Sequence, residues 1–248
     1  MLHKLIIATI ATCFLCVAST GLATTSLRKI PTPAHPQGAA SAPAEINHKP
    51  SPYYVNPDFF NMRSNNHLTI LSHYPTYQQT TEETCGGAAL LTVLHYLGNA
   101  HQHTEATLTK SLETKPYPIG TGIKGIVNFV VQDGWQVDSS LSSHETFSEY
   151  AHFQTFILKN LRAKTPIMVH NVEWGGHWRV IIGYDTMNTT SPLDDILIMA
   201  DPYDTSDHCQ DGYSINGGEL FYAMWFTRGI IPDDPISNQW VTIRKPAK

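Results

Sequence analysis

Charge is scarce in this chain of 248 residues: Lys, Arg, Asp and Glu together make up 15%, the formal net charge is only -5, and no Lys/Arg block stands out. A nucleic-acid partner therefore has little electrostatic surface to bind through. Cysteine is scarcer still. Of the four, Cys13 and Cys16 fall in an apolar N-terminal stretch, which leaves Cys85 and Cys209 for the rest of the chain. Histidine is plentiful at 13 residues, but no acid or cysteine completes a set at ligand spacing around His95, His101 and His103, so the sequence points to no metal and no cofactor. Internal repeats are absent. The longest apolar run, from Leu5 to Val17, is short of the roughly 20 residues that span a bilayer.

That run has the pattern of a secretory signal peptide. Lys4 provides the positive start, Leu5 to Val17 the apolar middle, and small residues around Ala23 a cleavage site. The expected organisation is a signal peptide over 1–23, a Pro/Ala/Ser-rich linker over 24–52, and one folded domain over 53–248. The linker composition offers too little apolar surface to offset the entropy of ordering it. An exported protein follows, secreted or periplasmic in a bacterial host, with no stable membrane span after cleavage. An uncleaved N-terminal anchor is the alternative.

Within the domain the periodicity changes from helical to extended. Leu90, Leu94 and Leu97 recur at spacings of four and three behind Cys85, with Thr84 as expected N-cap and Gly98 as stop. Further helices are expected at 104–114, 122–135 and 144–163. Strands are expected at 166–172, 176–185, 195–204 and 211–215, with a short aromatic helix or strand at 217–226. Helices first and strands second describe an α+β fold, an N-terminal helical half packed on a C-terminal antiparallel sheet.

Three features bear chemistry. Cys85 heads a helix, where unpaired N–H groups and the dipole favour an anion and hence the thiolate, the nucleophilic form. His177 opens a strand after Gly175 and Gly176, which leave room beside an imidazole that could take the thiol proton. Asp201 ends the next strand. If Tyr184 opposes Ile196 in a hairpin, Arg179 opposes Asp201, and Asp201 lies diagonal to His177 on one face; a slip of one residue would send it to the other. An acid there would fix the imidazole tautomer. Asp185 is the competing acid. Gln79, with Gln78 as competitor, offers an amide that could join the Cys85 N–H in binding an oxyanion. Gly86, Gly176 and Trp178 are candidate substrate contacts; Trp174 and Trp178 flank the histidine and suit either a cleft or a core.

The blocks "CGGAALLTVLHYLG", "GGHWRVIIGYD" and "ILIMADPYD", with an aromatic segment after "DGYSI", resemble the papain-like cysteine peptidases of family thirty-nine, relatives of the leader-peptide peptidase domains of bacteriocin exporters, over residues 70 to 228. The family often has Cys-Gly-Pro-Ala where this chain has Gly87 in place of proline. The resemblance implies a papain-like fold with no metal, Cys85 as nucleophile, His177 as general base and acid, Asp201 as orienting residue and Gln79 as oxyanion donor. The implied activity is hydrolysis of a peptide or other amide bond in a peptide or protein substrate, through a thioester. Two alternatives share the scaffold: transfer of the acyl group to an amine, or a silent binding module with Cys85 tied to Cys209 in a disulfide.

Overall fold

The computed structural model describes residues 27–33, 38–41, 55, 57–99, 102–205 and 209–246. The segment expected to be a signal peptide lies outside the described residues. Among the described residues no helix is long and apolar enough to cross a membrane.

A short strand β1 (Leu68–Ile70) precedes the first helix, α1 (Cys85–Tyr96). Ten of the twelve residues of α1 are buried, from Cys85 to Leu94, so this helix is surrounded rather than amphipathic. Its two glycines answer to close neighbours. A Cβ on Gly86 would meet the Thr121 side chain at 2.6 Å, and one on Gly87 would meet Thr109 Oγ1 at 2.9 Å. Helix α2 (Glu105–Ser111) begins with a capping box in which Thr104 Oγ1 accepts from the Thr107 N–H and Thr107 Oγ1 accepts from the Thr104 N–H. Helix α3 (Ile123–Gln132) buries Ile123, Ile126 and Val130 on its helical stripe, and strand β2 (Gln136–Ser139) follows it.

Helix α4 (Tyr150–Arg162) starts six residues later than the periodicity predicts. The preceding segment instead returns along the helix: Phe147 packs against Phe156 and Trp225, and its carbonyl accepts from Tyr222 Oη. Tertiary packing overrides local propensity there. Strands β3 (Ile167–Asn171), β4 (His177–Asp185), β5 (Ile196–Ala200) and β6 (Tyr213–Gly217) then succeed one another, followed by the aromatic helix α5 (Gly218–Ala223) and strand β7 (Gln239–Arg244).

The strands form one antiparallel sheet in the order β2-β7-β3-β4-β5-β6, with β1 paired to β4 beyond the end of β3. Helices α1 and α4 both pack on β4, which is buried at every position from His177 to Tyr184. The α+β architecture expected of a papain-like domain is therefore present; β1 falls in the segment 67–75, whose pattern is extended, while β2 comes from the half read as helical.

The β4–β5 hairpin departs from the expected register and then recovers it. Ile196 faces Asp185, and Tyr184 faces Leu197, one residue off. A bulge leaves Ile182 without a partner, and beyond it Ile181 faces Met199 and Val180 faces Ala200, the pairing expected from the sequence.

Two pieces of the Pro/Ala/Ser-rich stretch lie against the domain. Lys29 forms a parallel bridge with Thr76; the Ile30 N–H donates to the Thr76 carbonyl at 2.8 Å, and the Ala40 N–H to the Gln79 carbonyl at 2.9 Å. Ile30 and Ala39 are buried. Composition hides these contacts because they are made by backbone groups and by scattered side chains such as Lys29 and Ile30, with no run of apolar residues.

Candidate active site

Cys85 occupies the first turn of α1 and is buried to 6% exposure. His177 reaches it from the first position of β4. The approach to β4 is a tight turn in which Trp174 (φ 54°), Gly175 (φ 89°) and Gly176 (φ 139°) all take positive φ. A Cβ on Gly176 would press on the His170 ring at 3.3 Å, so glycine there serves both backbone and space.

The His177 ring is anchored by Asp201, whose Oδ1 lies 2.7 Å from its Nε2. Cys85 and His177 line the same cleft, near enough for Cys85 to favour the charged ring. A carboxylate only accepts, so Nε2 carries a proton and donates it to Asp201. Burial works against the imidazolium, but the charge and hydrogen bond of Asp201, with Cys85 adding to them, push His177 up to about 9. For Asp201, burial opposes ionisation; the charge and hydrogen bond of His177, with Arg179 and the Tyr203 N–H, outweigh it and hold the carboxyl well below the usual carboxylate range.

Asp201 is fixed from several directions. The Tyr203 N–H donates to Oδ1 at 2.9 Å and Ser214 Oγ to Oδ2 at 3.1 Å. Arg179 Nη1 lies 3.6 Å from Oδ2. The guanidinium is itself buried, and it donates to Glu173 Oε2 at 2.5 Å, Asn216 Oδ1 at 2.7 Å and Asn171 Oδ1 at 3.4 Å. Such a buried cation needs these partners, because taking it out of water unpaired costs several kcal/mol. The register places Arg179 opposite Asp201 in sequence terms; its further partners, and Ser214, were not legible.

Gln79 lines the cleft beside Cys85. Its Nε2 donates to the carbonyls of Thr81 at 2.8 Å and Glu82 at 3.1 Å, and its buried Oε1 has no hydrogen-bond partner among the described residues. Both N–H groups are thus committed to the loop that leads into α1, and an oxyanion would take one of them from a carbonyl. Gln78 turns away: its Oε1 accepts from Lys29 Nζ at 2.7 Å and its Nε2 donates to the Asp204 carbonyl at 2.7 Å. Asp185 is remote from the site and pairs with His67 Nδ1 at 2.7 Å.

Two expected substrate contacts are corrected by the packing. Trp178 is fully buried and donates from Nε1 to the Thr121 carbonyl at 2.9 Å, so it belongs to the core. Gly86 accommodates Thr121 rather than a ligand. Gly176 does line the cleft. Trp174, 61% exposed, stands at the cleft and packs on Tyr203 with ring centroids 5.4 Å apart. No disulfide joins Cys85 and Cys209.

Thr84 differs from expectation as well. It makes no side-chain cap on α1, and its φ of -95° and ψ of 11° are not the extended geometry of a capping residue. Its hydroxyl donates instead to Glu105 Oε1 at 2.6 Å.

The open volume at the site is about 230 Å³. Its walls include Cys85, His177 and Gly175–Gly176. Glu82 and Glu83 contribute carboxylates, Arg228 a guanidinium, and Tyr117, Ile119, Trp174 and Tyr203 apolar or aromatic surface. A thiol and an imidazole therefore meet at the cleft, with a carboxylate bonded to the imidazole. That arrangement suits acyl transfer through a covalent thioester.

A comparison with curated proteins returns no match. The model of the Peptidase_C39 like family matches residues 71–226, a span that holds Gln79, Cys85, His177 and Asp201. With more than half of the sequence covered, the chain belongs to the Peptidase_C39-like family of papain-like cysteine peptidases.

Proposed function

We propose that this protein is an exported thiol hydrolase that cleaves a peptide or other amide bond through Cys85, His177 and Asp201. The observation that carries this reading is that Cys85 and His177 line one cleft while Asp201 Oδ1 lies 2.7 Å from the His177 ring. With His177 pushed up to about 9, the imidazolium is the favoured form at neutral pH, and the imidazolium is the form that pairs with a thiolate.

The sulfur of Cys85 attacks the amide carbon. The oxyanion that forms is met by first-turn N–H groups of α1, which have no intrahelical acceptor, and by Gln79 once it releases a loop carbonyl. As the intermediate collapses, the C–N bond breaks and the His177 proton passes to the leaving amine. A thioester remains on Cys85. Water then gives a proton to His177 and attacks the thioester carbon, releasing the carboxylic acid and restoring the thiol. Asp201 keeps the ring oriented and stabilises its charge throughout.

Export is supported by the pattern of residues 1–23. The test is to incubate the full chain with mixed peptides and identify new termini by mass spectrometry. Cleavage that Cys85→Ser abolishes supports hydrolysis, and an amide formed only when amine is added identifies transfer instead. Absence of both, together with a Cys85 that resists alkylation in the folded protein, overturns the reading.

A further inference from the structure

Glu105 is a carboxylate at the first position of α2, 4% exposed, and every hydrogen bond it accepts comes from the segment that runs into Cys85. Oε1 accepts from the Thr80 N–H at 2.8 Å and from Thr84 Oγ1 at 2.6 Å. Oε2 accepts from Thr80 Oγ1 at 2.6 Å and Tyr77 Oη at 2.9 Å. The burial of a carboxylate in this way, with four donors gathered from one loop, is a specific arrangement rather than a surface accident. Its target segment carries Gln79 in the middle and Thr84 at the end.

Thr84 is the informative contact. A threonine before a helix normally turns its oxygen onto the N–H groups of the first turn. Here the hydroxyl gives its proton to Glu105 at 2.6 Å, with the Thr81 carbonyl as a longer second acceptor at 3.1 Å, and the same oxygen accepts from Thr81 Oγ1 at 3.2 Å. The first-turn N–H groups beside Cys85 are left without a side-chain cap. These are the groups that an acyl-transfer oxyanion would use.

We propose that Glu105 is a positioning residue that holds Thr84 out of the capping conformation and so keeps the oxyanion pocket at Cys85 open. The inference rests on the reading of Cys85 as nucleophile. Without Glu105, the Thr84 hydroxyl keeps only the longer bond to the Thr81 carbonyl, and its oxygen is free to turn onto the helix and compete with the oxyanion for first-turn N–H groups. Sulfur reactivity itself is untouched, because alkylation at a saturated carbon develops no oxyanion.

The experiment compares two reactions of Cys85 in the full chain: acylation by p-nitrophenyl acetate, which passes through an oxyanion, and alkylation by iodoacetamide, which does not. Each is measured in the wild type, in Glu105→Leu and in Glu105→Asp, with and without Thr84→Val. Glu105→Leu is expected to lower acylation roughly ten- to a hundredfold relative to alkylation, and Glu105→Asp, one methylene short, to lower it less. In the Thr84→Val background both losses shrink to about twofold or less, since contacting residues are non-additive. Should Glu105→Leu not fold, the Glu105→Asp pair decides. An unchanged ratio overturns the proposal, as do a loss that is the same with and without the Thr84 hydroxyl and a parallel fall of both reactions. A wild-type Cys85 that neither acylates nor alkylates overturns the nucleophile reading itself, and this inference with it.

Discussion

His177 Nε2 lies 2.7 Å from Asp201 Oδ1, although the hairpin that carries the two residues slips by one position between its turn and the site. The bulge at Ile182 absorbs the slip. Had the turn-end register continued, Asp201 would have faced away from the imidazole, because side chains alternate faces along a strand. One unpaired residue in β4 thus decides which face of the sheet the acid joins.

Asp201→Asn removes the charge that outweighs burial at His177. The ring is expected to titrate well below its present value of about 9, read by NMR of the imidazole protons. Thioester formation should fall roughly a hundredfold or more, since an amide does not enforce the tautomer. A His177 that still titrates near its original value refutes the assignment.

The same pair sets a pH window for stability. His177 is raised on folding, so its contribution is complete below its ordinary value of 6.5 and is lost as pH rises through about 9. Asp201 is lowered, so its contribution is present above its ordinary value of 3.8 and is lost as pH falls below that value toward its native one. Thermal melts should therefore decline on the alkaline side up to about pH 9, and this slope should flatten in His177→Ala. An equal slope in wild type and variant would remove the linkage.

Two neighbouring tryptophans should behave in opposite ways. Trp178→Ala empties a fully buried site and leaves the Thr121 carbonyl without its indole donor, for a loss of about 3–5 kcal/mol in denaturant unfolding. Trp174→Ala removes an exposed ring from the cleft. It should change stability by about 0.5 kcal/mol or less and raise KM for cleaved peptides. A large stability loss at Trp174 would count against its place in substrate contact.

Lys29 anchors the N-terminal arm by donating to Gln78 Oε1 at 2.7 Å and to the Gln210 carbonyl at 2.9 Å. Lys29→Met leaves the buried Gln78 oxygen without that donor, at about 1–3 kcal/mol. The midpoint of urea unfolding should drop accordingly. No drop would mean that the Lys29 side-chain bonds contribute nothing to the folded domain.

Much of the site could be read in the residues. The Cys85 helix, the His177 strand and the segment ending at Asp201 each had a local pattern, and the last two needed a hairpin, whose bulge at Ile182 the sequence did not show. Local pattern carries no information about what a distant element brings. Trp178 follows His177 directly, yet alternation turns it into the core, against Thr121. Glu105 resembles an ordinary first-turn acid until Tyr77, Thr80 and Thr84 are seen around it. Strand β2 was missed because its four residues are too few for alternation to stand out, and β7, though six residues long, because it sits in the sheet by pairing with the distant β2 and β3. The Thr84 cap was predicted from propensity and lost to a buried carboxylate that sequence distance concealed.

Strand β7 lies between β2 and β3, inside the sheet and outside the residues that the family model covers. During synthesis the ribosome delivers Cys85, His177 and Asp201 well before Gln239–Arg244, so β3, the neighbour of the histidine strand, has an unfilled edge until those residues emerge. An autonomous fragment cut at the family boundary would inherit that open edge, with its tendency to self-associate. The unit to express is therefore larger than the unit that homology outlines.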